Sequence, residues 1–165
     1  MTVSAEQTVN APVAKVVETF LDTSFNSHVA ERGGATLESL KVDGDPGGQF
    51  TVTTTRTMSA DKLPDIAKKV VKSGLSITQV DSWEAPEADG SRNIHTQVSV
   101  SGMPANGEGK QRLQAKGDQT SVSVELVLNV KIPLIGSKLA ATAEPYVGKA
   151  LSLQAREADA WIASH

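Results

Sequence analysis

The sequence predicts an α+β fold in which an antiparallel sheet of about seven strands is covered by one long C-terminal helix. Three observations carry that expectation. Stretches of alternating apolar and polar residues recur at hairpin spacing through the middle of the chain. A helical pattern follows the first such stretch directly. Residues 135–163 then read as one amphipathic helix, with Leu139, Ala143, Val147, Ala150, Leu151, Ala158, Trp161 and Ile162 on one stripe. Lys138, Lys149, Arg156, Glu157 and Asp159 fall on its other faces. Such a helix needs a sheet to cover, and the small residues on its stripe predict a hollow between the two.

Residues 2–9 alternate, with Val3, Ala5, Gln7 and Val9 on one side, and form the first strand. The period then changes. Asn10 can cap a helix that has Pro12 in its first turn and an apolar stripe of Val13, Val16, Val17, Phe20 and Leu21. Asp22, Thr23 and Ser24 stop it and start a second, short helix over about 25–32, which Gly33 and Gly34 end. Strands are expected at 36–42, 49–58, 75–85, 91–101, 109–116 and 121–132, joined mostly by short Gly-, Pro- and Asp-rich turns and therefore antiparallel. One segment breaks the meander. In 59–73, Leu63, Ile66, Ala67, Val70 and Val71 recur at helical spacing among Lys62, Lys68, Lys69 and Lys72, so an inserted amphipathic helix is expected from about Pro64. It either packs on the sheet edge or forms a lid whose four lysines make transient contact with an anionic membrane. In the last helix, Pro145 lacks an amide hydrogen and Gly148 weakens the same region, which predicts a kink.

Composition narrows the function. The 165 residues are expected to form one domain, 1–165, and are 39% apolar and 21% charged, as in an ordinary globular protein. A net charge of −3 with dispersed signs gives no footprint for a nucleic-acid backbone. No stretch approaches the ~20 apolar residues that span a bilayer, and no basic segment precedes an apolar run at the start, so a cytoplasmic location is the default expectation. With no cysteine, disulfides, thiolate metal sites and a cysteine nucleophile are excluded together. His28, His95 and His165 stand on separate elements without a second histidine at ligand spacing, so no metal or cofactor is expected. Residues 104–111 superficially resemble a P-loop, but proline replaces the first glycine and glutamine the hydroxyl residue, and they read as a loop between strands. There is no Gly-x-Ser-x-Gly elbow. The carboxylates of 43–45 and 84–89 fall in turn-rich regions where solvation accounts for them.

Particular residues carry a family resemblance. The run 9–22, from Val9 through the Ala11-Pro12 turn and the paired Val16-Val17 to Asp22, resembles the opening of START-like (SRPBCC, helix-grip) proteins, the superfamily of polyketide cyclases, birch-pollen allergen relatives and lipid-transfer domains. Leu63-Pro64, Trp83-Glu84 and 131–138 resemble its uncharacterised actinobacterial DUF2505 branch. The resemblance implies a curved sheet gripping the last helix, with a tunnel that accepts a hydrophobic or amphipathic small molecule. It transfers no catalytic residue.

Strand alternation assigns the tunnel face. Phe50, Val52, Thr54, Arg56 and Met58 are more apolar than the threonines between them and should point inward. By the same test Ile77, Gln79, Asp81 and Trp83 face in, as do Ile94, Thr96, Val98 and Val100, then Gln111 and Leu113, then Val122, Val124, Leu126, Leu128 and Val130. From the last helix Val147 and Leu151 should line the tunnel, Tyr146 either stands at its mouth or packs at the kink, and Gln154 either adds a polar contact or lies at the helix border. Arg56 and Asp81 either pair near the sheet's rim or leave Arg56 free to hold a carboxylate or phosphate head group. The leading reading is a non-catalytic binding or carrier protein for a lipid, fatty acid or polyketide-like compound. One alternative is a cyclase- or dehydratase-type enzyme in which Arg56, Asp81 or Tyr146 polarises a carbonyl. The other is a protein-interaction module docking through an exposed apolar surface. Neither ligand identity nor oligomeric state is readable from the residues.

Overall fold

The structure, a computed structural model, describes residues 2–165. The strands are β1 Thr2–Val9, β2 Thr36–Gly44, β3 Phe50–Met58, β4 Leu75–Trp83, β5 Arg92–Ser101, β6 Ala105–Lys116 and β7 Gln119–Val130. Helices α1 Val13–Phe20 and α2 Thr23–Arg32 follow β1, the four-residue α3 Asp65–Lys68 lies between β3 and β4, and α4 Gly136–Ser164 ends the chain. The strands form one antiparallel sheet in the order β1-β7-β6-β5-β4-β3-β2. Helices α1 and α2 therefore carry the chain from one edge of the sheet to the other.

Local chemistry explains most element ends. Asp22 caps α2, accepting a hydrogen bond from the Phe25 amide at 2.9 Å. Asn10 does not cap α1. Its side-chain Oδ1 accepts instead from Gln119 Nε2 at 2.6 Å while its backbone N–H donates to the Asp159 carboxylate of α4 at 2.7 Å, and Pro12, whose ring presets φ near the helical value, occupies the N-cap position without a side-chain bond. The 59–73 segment also differs from the helix expected there. It is a 3-10 turn, Ala60–Lys62, followed by the single turn α3, because Met58 and Leu75 pair directly and clamp the ends of the insertion together. Its apolar stripe survives all the same, since Leu63, Ala67 and Val71 are buried. Residues 105–108, expected as a loop before the strand at 109–116, belong to β6. The strand pairing of Ala105 with Val130 and Val100 begins immediately after the turn. Helix α4 continues through Pro145, whose surroundings are exposed.

The interior has two cores. The larger gathers Val9, Val16, Phe25, Trp83 and Leu113 with Ala155 and Ala158 of α4. The smaller joins Leu63, Ala67 and Val71 to Leu139 near the start of α4, with Val130 and Ile132 against it. Helix α4 is thus anchored at both ends, and the site lies along its middle.

Candidate functional site

A cavity of about 320 Å³ lies between the inner face of the sheet and the middle of α4. That volume is at the small end of the ~300–1,000 Å³ typical of small-molecule pockets. Val52, Thr54 and Arg56 reach it from β3, Gln79, Asp81 and Trp83 from β4, and Thr96 and Val98 from β5. Gln111 of β6, Leu126 of β7 and Val147 and Leu151 of α4 complete the expected set. The alternation read from the sequence therefore keeps its phase across five strands. Gln154 also lines the cavity, as do Val29 and Ala30 of α2, which the sequence gave no means of placing there.

Six residues expected to line the tunnel or stand at its mouth lie elsewhere: Ile94, Leu113 and Val122 are buried in the larger core, Val130 packs on the smaller one, and Tyr146 and Phe50 depart individually. Tyr146 is 58% exposed and points away from the cavity, because neighbouring Val147 occupies the inward position of that helical turn. Phe50 is inward but sealed in the core, stacked on Trp83 with ring centroids 5.0 Å apart. The residue that seals it, Arg92, is absent from the sequence-based set. Arg92 is 3% exposed and donates to the carbonyl oxygens of Glu84 at 3.1 Å, Pro46 at 3.0 Å and Gly48 at 2.9 Å. Its guanidinium carbon lies 5.3 Å from the Phe50 ring centre and 5.4 Å from that of Trp83. Extending the β5 inward set, Ile94, Thr96, Val98 and Val100, by two residues toward the N-terminus reaches Arg92, which is the signal that would have found it.

The polar residues of the cavity form one relay. Arg56 Nη2 donates to Gln79 Oε1, and Gln79 Nε2 donates to both oxygens of Asp81, at 3.1 and 2.9 Å. Thr96 Oγ1 donates to Asp81 Oδ1 at 2.6 Å, and Gln111 Nε2 reaches Thr96 Oγ1 at 2.9 Å and Asp81 Oδ1 at 3.4 Å. The register makes this possible. Asp81 faces Thr96 directly, while Gln79 sits two residues along β4 on the same face. Arg56 and Asp81 thus meet through an amide and not as a direct pair at the rim. Burial pushes the Asp81 carboxyl up, against the hydrogen bonds from Thr96 and Gln79 and the charge of Arg56. Burial likewise pushes the Arg56 guanidinium down, with Asp81 opposing it. Trp83, which also lines the cavity, has its Nε1 buried with no hydrogen-bond partner among the described residues.

Among the described residues no group of three His, Asp or Glu side chains is placed to hold a metal ion, and no helix is long and apolar enough to cross a membrane.

This geometry has known counterparts. A family model described as "Protein of unknown function (DUF2505)" matches residues 4–162. Uncharacterized proteins of Mycobacterium tuberculosis and Mycobacterium bovis are 25% identical over 135 residues, which cover 79% of this chain and 77% of theirs. Among solved structures, a Thermus thermophilus protein superposes with a TM-score of 0.63 at 14% identity, covering 99% of this chain and 98% of that one. The Zhui aromatase/cyclase from a Streptomyces species gives 0.61 at 13%, covering 98% and 95%. Norcoclaurine synthase from Thalictrum flavum gives 0.54 at 15%, covering 100% and 87%. At such identities the likeness is one of fold, and the fold is the helix grip.

Proposed function

Starting from the premise that this chain belongs to the DUF2505 family, we propose that it is a binding or carrier protein for a hydrophobic or amphipathic small molecule held between the sheet and α4. The observation that carries the reading is the cavity itself, mostly apolar and crossed by one polar relay. Apolar walls with a few fixed polar groups bind by burial and orient by hydrogen bonding. The enzyme alternative called for Arg56, Asp81 and Tyr146 to converge on one point, and Tyr146 faces solvent. The interaction-module alternative needs a collapsed tunnel together with a contiguous apolar patch outside, and the open cavity speaks against the first of these.

Native mass spectrometry of the purified chain, beside its denatured mass, tests the reading. A ligand retained in the native state and lost on denaturation is expected, or, after delipidation, saturable uptake of an apolar fluorophore that Val98→Trp blocks. Uptake unaffected by Val98→Trp would refute the cavity as the site.

A membrane partner is supported by a separate observation at the far end of the molecule. Ile135 N–H donates to Pro133 O, a γ-turn around Leu134, whose φ is 72° and whose side chain is fully exposed. Holding a leucine in that conformation and in water is unfavourable on both counts. Exposed Lys62, Lys68, Lys69, Lys72, Lys131 and Lys138 surround the smaller core beside it, opposed there by Asp61 and Asp65, on a chain of net charge −3. An apolar tip amid cations suits an anionic bilayer. Co-sedimentation with phosphatidylglycerol-containing vesicles, lost in Leu134→Ser and absent with neutral vesicles, is the expected result. Equal binding to both vesicle types would exclude it.

A further inference from the structure

The relay in the cavity ends in an acceptor on one side and in free donors on the other. Asp81 accepts four hydrogen bonds, three on Oδ1 from Gln79, Thr96 and Gln111 and one on Oδ2 from Gln79. As an acceptor it offers nothing to an anionic head group. Gln79 is used in both directions, its carbonyl toward Arg56 and its amide toward Asp81, so the polarity of the chain is fixed. Arg56 stands at the other end. Among the described residues only one hydrogen of Nη2 is used, so the second Nη2 hydrogen, with the Nη1 or Nε hydrogen parallel to it, leaves one two-donor edge of the guanidinium open inside a mainly apolar cavity. Gln154 lines the same cavity, and no partner for its amide is found among the described residues. A partly buried cation with unused donors is costly unless something occupies them.

We propose that the ligand is an apolar monocarboxylic acid, its carboxylate held by Arg56 through two parallel hydrogen bonds and its tail lying along Val98, Leu126, Val147 and Leu151. The inference rests on the carrier reading above and specifies its ligand. Three arguments select this head group. A planar guanidinium fork matches a carboxylate, which takes two donors where a carbonyl takes them less well. A phosphate dianion would bring two negative charges toward a site that already holds Asp81, so a single charge suits it better. Burial already disfavours the Arg56 charge, and an anionic ligand returns what burial removes. The cavity of about 320 Å³ sets the tail. Taking roughly 30 Å³ per water-sized group, it holds on the order of ten such groups.

The test uses the full-length, delipidated chain and four ten-carbon probes: decanoate, decanol, decyl phosphate and decyltrimethylammonium. Binding is read by titration calorimetry. Decanoate should bind about tenfold or more tighter than decanol, as one or two charged hydrogen bonds imply, and tighter than decyl phosphate, with the ammonium weakest. Arg56→Gln should bring decanoate down to the affinity of decanol and leave decanol unchanged, and Arg56→Lys should recover part of the difference. The comparison among probes on the unmodified chain stands even if a variant fails to fold. Equal binding of decanoate and decanol would overturn the carboxylate inference while leaving the carrier reading in place. Tighter binding of decyl phosphate would replace the head group. Failure of all four probes would overturn the inference together with the carrier reading.

Discussion

Arg92→Met isolates the contribution of the guanidinium that caps the stacked Phe50 and Trp83 rings. Methionine keeps the unbranched apolar stem but ends short of the guanidinium and removes every donor. Three charge-assisted hydrogen bonds are lost, to the carbonyl oxygens of Glu84, Pro46 and Gly48. Bonds to charged groups contribute about 1.5–3 kcal/mol each. Two of the three acceptors lie in the largely exposed 45–48 turn, where water can replace the donor, so they belong at the low end. The contact over two rings adds about 0.5–1 kcal/mol. Against this, the variant no longer buries a charge that burial itself disfavours. The net expectation is a loss of about 3 kcal/mol, a large part of the ~5–15 kcal/mol of a typical domain. Urea unfolding followed by far-ultraviolet circular dichroism, with an unchanged m-value, measures it. Arg92→Lys, which can serve one carbonyl at a time, should fall between. If Arg92→Met stays within about 0.5 kcal/mol of the parent, the size of an ordinary surface change, the clamp contributes nothing and the reasoning is refuted.

Gly109→Ala should destabilise by more than the ~1–3 kcal/mol of ordinary overpacking, because the added methyl would overlap the Glu125 carbonyl oxygen and not a side chain that could swing aside; soluble yield and thermal midpoint report it. Leu139→Ala should cost about 2–5 kcal/mol, with amide exchange accelerated over 63–71 before the rest of the sheet, since among the described residues Leu139 is the one buried contribution of α4 to the smaller core. Glu157 is disfavoured by burial but held below the usual carboxylate range by the hydrogen bonds from Arg32 and His28. Its stabilising effect is therefore complete above the ordinary glutamate pKa and lost as pH falls through the lower folded value. Thermal melts of Glu157→Gln should accordingly differ from the parent at neutral pH and converge with it in acid. Tyr146→Phe should leave decanoate affinity unchanged by calorimetry, because the hydroxyl is outside the cavity.

The inward faces of the sheet were legible because a strand's period is two, and one strongly apolar position fixes the phase of all the others. Val52 and Trp83 do this for β3 and β4, and the polar residues between them follow. Partnership across strands was not legible. Whether Arg56 meets Gln79 or Asp81 depends on a register that only the paired backbones supply, with Arg56 opposite Ile77 and Thr54 opposite Gln79. Arg92 is not legible for a related reason. Its acceptors are backbone carbonyls at the end of β4 and in the 45–48 turn, and a carbonyl has no signature in a sequence. In 59–73 the apolar spacing is legible but not its cause, since Leu63, Ala67 and Val71 share one core although the helix between them is only the single turn Asp65–Lys68.

The cavity persists because α4 is packed into a core at each of its two ends and not along its middle. Trp161 packs on Phe25 with ring centroids 5.6 Å apart, and Ala155 and Ala158 press into the same core. At the opposite end Leu139 meets Leu63, Ala67 and Val71. Between these anchors the helix presents Val147, Ala150 and Leu151, while the facing sheet presents Arg56, Gln79 and Asp81. Collapse of the middle would press apolar side chains onto a charged relay and strip the water from it, which costs more than the apolar contact returns. The same polar groups that can orient a ligand therefore also keep the space for it open. This is why replacing Arg56 and Asp81 together with leucine should close the cavity and raise stability while abolishing uptake of every probe. A double variant that still binds decanol would show that the helix anchors alone hold the space.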